Sequence, residues 1–377
     1  MCEPKESKVN LPDYTATDLL TTVFQNFVQT FSRLMRRLRW LGIPWGGGLA
    51  QQGVAQALLA SIFIGILSAV NRLFVAVDFG KIFLRVAGTS KYASAFFALL
   101  MIRRLKRSWP ALAGAWTTSN HTLGALILPD AGLTRTIVRV ATGFLVFATY
   151  QYTTLFGAII FVQMLLTTLI SNLQDFIVIA FSLGLTSRQK KINTVLKYLC
   201  SRYSYPNSIA LVSTKYTTPV RVTAGKHLSW RKVREVFVRH AALVQATDRA
   251  LGPLVLLSLF TNLLYILMLV FSLNYKNDKY AFTYSVYALA WLSVRCFSLL
   301  VAASDVHARS RAGADYFKNI QTTSYNTEVR RLQFQLSKNE IALSGMGFFK
   351  LKRSLILKVL SVIITYDLIL LQYNDNL

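Results

Sequence analysis

The chain has 377 residues, 53% of them hydrophobic and only 15% charged, with a formal net charge of +26. A water-soluble domain of this length carries more charge on its surface, and the apolar residues here gather into runs near the roughly 20 that a helix needs to cross a hydrocarbon core. Lys and Arg fall between those runs and form no separate basic domain, which excludes a nucleic-acid-binding protein and leaves the charge pattern of a membrane protein. The reading is an all-α polytopic membrane protein with seven transmembrane helices.

In chain order, 1–48 is a cytoplasmic N-terminal segment. Its Leu19, Val23, Phe27, Phe31, Leu34 and Leu38 recur at three- and four-residue steps and predict an amphipathic helix at the membrane surface or against another subunit. Spans one to four occupy 49–185: 49–74, 82–102 (despite Arg85 and Lys91), about 140–152, and 160–185. A loop carrying Trp109-Pro110 and Trp116 is expected after the second span. Segment 186–250 is basic and cytoplasmic, with an irregular Ser/Thr/Tyr/Pro-rich insert over 201–219. Spans five and six fill 251–304 and are joined by a short loop. A charged cytoplasmic segment, 305–348, leads to 349–377, a last span and a short extracellular tail.

Basic residues choose the orientation. With the N-terminus inside, the cytoplasm receives Arg33–Arg39, Arg103–Arg107 and both long basic segments, and the outside keeps few cations. The C-terminus is then extracellular. The N-terminus has no apolar stretch behind its charges, so no cleavable signal peptide is expected.

Nothing suggests catalysis. His121, His227, His240 and His307 lack metal-ligand spacing, Cys2, Cys200 and Cys296 form no CxxC, and no dinucleotide, phosphate-loop or nucleophile-elbow motif occurs. No cofactor, no metal and no enzymatic activity are expected. Asp175 and Arg295 stand out because each lies well inside a span, where a lone ionisable group costs at least about 2.5–3.5 kcal/mol. A salt bridge between the fourth and sixth spans would remove that cost; a structural pair and direct ligand contact both fit.

The last span carries Thr365-Tyr366-Asp367-Leu368-Ile369-Leu370-Leu371-Gln372-Tyr373. This resembles the closing signature of insect gustatory receptors: Thr-Tyr, five mostly apolar residues, then Gln-Phe. Trp109-Pro110-Ala111-Leu112 is similar to a family motif after the second span. Residues 240–260 (HAALVQATDRALGPLVLLSLF) and 328–349 (EVRRLQFQLSKNEIALSGMGFF) resemble the sugar-receptor branch. Tyr373 replaces the usual Phe, Asp367 the usual Glu, and the loop between spans three and four is unusually short.

The resemblance implies a ligand-gated, non-selective cation channel opened by a sugar or polyol. It further implies a homotetramer or a heteromer with related receptors, in the bilayer of the plasma membrane, with the last helices around the path of the permeant cations. A ligand pocket is implied in the outer half of each bundle. A sugar needs polar partners beside aromatic platforms. Tyr150, Gln151, Asn172, Asp175, Asn262, Tyr265, Tyr284, Tyr287, Trp291 and Arg295 supply both, although Tyr and Trp near a span end also suit an interfacial belt. In the pore helix Thr365, Tyr366, Ile369, Leu370, Leu371, Gln372 and Tyr373 are the expected pore and gate residues, with Ile369–Leu371 as a hydrophobic constriction and Gln372 as a polar ring. A secondary transporter of a small polar solute, or a receptor for a non-sugar tastant, remains the alternative.

Overall fold

The computed structural model describes residues 16–38, 43, 45, 49–74, 79–124, 139, 158–204, 230–274, 279–319, 327–338 and 340–374. They form eight α-helices: α1 Ala16–Leu38, α2 Leu49–Phe74, α3 Phe79–Gly124, α4 Ala158–Ser204, α5 Trp230–Asn274, α6 Lys279–Asp315, α7 Thr327–Lys338 and α8 Arg353–Asn374. A single 3-10 turn, Tyr316–Asn319, ends α6. The all-α expectation holds among the described residues, whose sole extended pairing is one bridge between Ser344 and Lys350.

Four of these helices are long and apolar enough to cross a membrane, over Gln51–Asn71, Leu165–Cys200, Trp230–Phe271 and Phe282–Asp315. They contain the predicted first, fourth, fifth and sixth spans. The predicted second and seventh spans fall on α3 and α8, and the third lies outside the described residues.

α4 is the axis of the bundle. From Thr167 to Asn193 almost every side chain is buried, because α3, α5 and α6 pack around it. A helix covered on all sides shows no amphipathic stripe, and in α4 apolar and polar side chains, Asn172, Gln174 and Asp175 among them, are buried alike. α2 is the opposite case. It leans on α3 through Leu58, Ile62, Ala95, Ala98 and Leu99, while Phe63, Ile64 and Leu67 face outward.

Two local expectations are corrected and a third segment gains detail. The loop predicted around Trp109-Pro110 is helix, since α3 continues to Gly124. Proline removes one backbone donor and disfavours a helix interior, but here Trp109, Leu112 and Trp116 pack against α1 and α4, and that burial outweighs the local defect. Second, α1 does not leave its apolar face for the membrane surface. Phe27, Phe31 and Met35 are buried in the chain's own core, with Phe27 4.6 Å from Trp116 and Phe31 4.9 Å from Trp109, ring centre to ring centre. In the basic segment 186–250 the described residues, 186–204 and 230–250, are helical. α4 runs on to Ser204 and α5 begins at Trp230, carried past the expected ends by Ile192, Val195, Leu196 and Leu199 on one and Val233, Val236 and Phe237 on the other. Most of the 201–219 insert lies outside the described residues.

Candidate functional site

The two ionisable residues that the spans ought not to contain are found together. Arg295 of α6 places Nε 2.7 Å from Oδ2 of Asp175 on α4, with both side chains almost wholly buried. The Nε–H is poorly aligned with that oxygen, so this contact is a charge pair and not a well-formed hydrogen bond. The hydrogen bonds come from the remaining atoms. Arg295 donates Nη1 to Oδ1 of Asn172 at 2.6 Å and Nη2 to Oδ1 of Asn262. Asn262 donates Nδ2 to Oδ2 of Asp175 at 3.0 Å, and Ser258 donates its hydroxyl to Oδ1. Three helices are thereby tied at one level by a neutral, hydrogen-bonded set, which is how a charge pair becomes tolerable in a low-dielectric interior.

Helical periodicity explains why these residues meet. Asn172 and Asp175 are three apart on α4 and share a face, as do Ser258 and Asn262, four apart on α5. Four of the ten predicted ligand-site residues therefore converge: Asn172, Asp175, Asn262 and Arg295. Ser258 was missed, although its i, i+4 relation to Asn262 was the available signal. One donor is left over: Nδ2 of Asn172 is buried without a partner. Its orientation is set because its Oδ1 already accepts from Arg295.

Of the other six candidates, the structure describes four, and none of them hydrogen-bonds to this set among the described contacts. Tyr265 is half-buried and its hydroxyl lies 3.3 Å from that of Ser94 on α3. Trp291 is half-buried, whereas Tyr284 and Tyr287 are exposed on α6. Tyr150 and Gln151 lie outside the described residues.

A second constellation joins two segments that looked unrelated in sequence. Between α7 and α8 the chain makes a tight turn closed by Leu351 N–H to Leu343 C=O at 2.8 Å and Gly345 N–H to Phe349 C=O at 3.0 Å. Met346 and Gly347 take positive φ at its tip, 54° and 84°. Asp248 of α5 accepts from the backbone N–H of Ser344 at 2.6 Å and from its hydroxyl at 2.8 Å. One helical turn on, a side chain at Gly252 would meet the backbone N of Met346 at 3.1 Å. The first residue of α8 is pinned to α6, where Arg353 donates to Asp305 at 2.9 Å. Segments 240–260 and 328–349 are thus one docked unit at the root of α8.

Within this turn Glu340 accepts from Lys350 at 2.7 Å and from Lys352 at 3.2 Å. Those hydrogen bonds, and then the two charges behind them, hold its carboxyl down at about 2. A carboxylate depressed on folding stabilises the folded chain above its unfolded value, and the contribution disappears as the pH falls through the folded one. Thermal melts of the wild type and Glu340→Gln should therefore differ slightly at neutral pH and converge towards pH 2. The pair is exposed, so the difference should also shrink in high salt. A gap independent of pH would contradict this role.

α8 touches its own chain along one stripe. Leu355, Ile356, Val359 and Ile363 pack on the core, against α5 and α6, while Leu357, Leu360, Val362, Ile364, Leu368 and Ile369 are exposed. Of the predicted pore residues, Thr365, Ile369 and Gln372 are exposed and Tyr366 is partly covered. Leu370, Leu371 and Tyr373 are helical in backbone, with side chains outside the described residues.

The profile of the trehalose receptor family matches residues 140–377, which contain both constellations and the last helix. The chain belongs to that family. It is thus a member of the insect sugar gustatory receptors and a multi-pass plasma-membrane protein, as the closing signature implied. "Gustatory receptor for sugar taste 64a" of Drosophila melanogaster is 32% identical over 147 residues, 38% of this chain and 32% of the relative. "Gustatory receptor for sugar taste 64f" of the same species is 27% identical over 215 residues, 57% and 41% of the two chains. "Gustatory receptor 5a for trehalose" is 26% identical over 148 residues, 39% and 33%. The matched part spans about a third to two-fifths of these relatives. The fold of this trehalose-receptor-family chain is that of the insect olfactory receptor OR5 from Machilis hrabei, solved in complex with eugenol. The TM-score is 0.68 at 12% identity, over 94% of this chain and 99% of the other.

Proposed function

We propose that this chain is a ligand-gated, non-selective cation channel opened by a sugar or polyol. In this reading it has seven spans, a cytoplasmic N-terminus and an extracellular C-terminus. It works as a homotetramer or with related receptor subunits, and α8 of each subunit faces a shared pore. The observation that carries the reading is the coverage of α8. A terminal helix held to its own bundle by one stripe, with apolar side chains exposed around the rest, suits a place between that bundle and neighbouring copies.

The ligand meets the bundle at Asn172, Asp175, Asn262 and Arg295, approached past Tyr150, Gln151, Tyr265, Tyr284, Tyr287 and Trp291. A sugar hydroxyl accepting from the spare Nδ2 of Asn172, or exchanging with a bond inside the network, would change how α4, α5 and α6 are tied. α5 transmits the change: Asp248 and Asn262 stand on the same helix, about 21 Å apart along its axis. The turn held by Asp248 sets the root of α8, where Ile369, Leu370 and Leu371 form the constriction and Gln372 the polar ring beyond it, with Thr365, Tyr366 and Tyr373 beside them. A ligand favouring the open arrangement shifts the population towards it only by its difference in affinity between the two states.

The test is whole-cell current in cells expressing the chain, alone and with related receptors, during perfusion with mono- and disaccharides. The expected result is a sugar-evoked cation current whose conductance or ion preference changes in Gln372→Ala. Surface-expressed protein that stays silent to every sugar in both settings would overturn the proposal, as would sugar uptake without unitary channel openings.

A further inference from the structure

Away from the ion pair, a cavity of about 350 Å³ opens where the start of α2 meets the basic stretch of α3. That volume is the share of about ten waters in the liquid. Its polar lining is Gln51, Gln52 and Gln56 from α2 and Arg103, Lys106 and Arg107 from α3. Among the described residues no carboxylate lines it, and α2 has no acidic residue in its first turn. Three cations and the positive end of a helix dipole thus converge on one hollow with no acid among its described lining, an arrangement that favours an anion.

Two further observations narrow the anion. The Oε1 atom of Gln51 is buried with no donor to satisfy it, so an occupant bearing hydroxyls as well as negative charge suits the cavity better than a bare anion. The cavity also continues onto apolar surface. From Gln52 and Gln56 the same face of α2 runs, at three- and four-residue steps, through Leu59 to Phe63 and Leu67, the last two exposed. A molecule with a charged, hydroxylated head at the cavity and acyl chains along that face would satisfy both ends.

We propose that this cavity binds the phosphorylated, hydroxyl-bearing headgroup of an anionic phospholipid, of the phosphoinositide class, from the leaflet at the basic end of α2 and α3. The assignment to the cytoplasmic leaflet rests on the orientation proposed above; the cavity and its chemistry do not depend on the sugar reading. Bound there, the lipid bridges α2 to α3 and holds the outermost helix of the bundle against its neighbour.

The test uses the full chain purified in detergent and titrated with dioctanoyl phosphatidylinositol 4,5-bisphosphate, with binding read by the shift in thermal unfolding. Dioctanoyl phosphatidylcholine, inositol trisphosphate and inorganic phosphate serve as parallel probes. Each cation near a membrane surface contributes about 1 kcal/mol towards anionic lipid, so Arg103→Gln with Arg107→Gln should weaken binding about thirtyfold. Arg36→Gln with Arg37→Gln, which removes the same charge from exposed positions on α1, should change it little. Gln56→Glu, which keeps every cation and puts a negative charge on the cavity wall, should weaken it as well and guards against a folding defect in the double variant. Equal loss in the α1 control would reduce the effect to diffuse surface charge and overturn the site. So would equal affinity for phosphatidylcholine, or full binding in Gln56→Glu. Inorganic phosphate or inositol trisphosphate binding as tightly as the lipid would make the cavity an anion site and overturn the lipid assignment.

Discussion

Asp175→Ala is expected to cost the folded chain about 3–5 kcal/mol, because it strands the Arg295 guanidinium in the bundle interior without its counter-charge. Ser258 and Asn262 lose their acceptor at the same time, so the damage spreads from α4 to α5. Surface expression, survival of a monodisperse species through detergent extraction, and the melting temperature should all fall. The penalty belongs mainly to the stranded charge and not to the lost pair. Joining Asp175→Leu with Arg295→Leu should therefore recover a large part of what Asp175→Leu alone removes, and a double-mutant cycle should show strong coupling. Additive losses would mean that the two residues act independently and that the pair is not what holds the three helices at this level.

Gly252→Val is the second large expectation. The new side chain would point at backbone atoms of Met346, N at 3.1 Å and Cα at 3.3 Å, which cannot swing aside as the tip of a side chain could. The turn must shift, and it is already committed at its tip, where Met346 and Gly347 hold positive φ. Overpacking of this kind costs about 1–3 kcal/mol. Asp248→Ala attacks the same contact from the other side, removing both hydrogen bonds that the carboxylate accepts from Ser344. Hydrogen exchange separates the local from the global effect. Amides of 343–352 should exchange faster in both variants while those in the middle of α4 keep their protection. Unchanged exchange at the turn would show that α5 does not restrain the root of α8.

The parts of the fold that were legible in sequence are those where burial and spacing agree. The fourth, fifth, sixth and last apolar runs are all helices, and Asp175 and Arg295 could be paired because isolated charges in such runs need partners. Helix ends were harder. A run of Lys and Arg marks where lipid ends, but a helix continues past it wherever apolar residues still meet a neighbour, as Ile192, Val195 and Leu196 do. Pro110 misled for a related reason: its penalty is local, whereas the packing of Trp109 and Trp116 that overrides it comes from helices distant in the chain. The apolar face of α1 was visible, but periodicity says only that a face is buried and never against what. The docking of Asp248 and Gly252 on the Ser344–Met346 turn left no local signal, since each partner reads as an ordinary helix or loop residue.

The central claim is that sugar binding opens a path past α8, and one measurement addresses it directly. Gln372→Cys places a thiol at an exposed position near the C-terminal end of α8, the outer end in the proposed orientation. Cys200 and Cys296 are buried, Cys2 falls in the segment that this orientation puts inside, and the wild type is the control for all three. Sugar-evoked whole-cell current would be recorded before and after a charged methanethiosulfonate reagent is applied outside, with labelling of the surface protein measured in parallel. The predicted result is a labelled channel whose sugar-evoked current changes by several-fold after modification, while the wild type is unaffected. Complete labelling of the introduced thiol with an unchanged sugar-evoked current would place the ion path elsewhere and contradict the account.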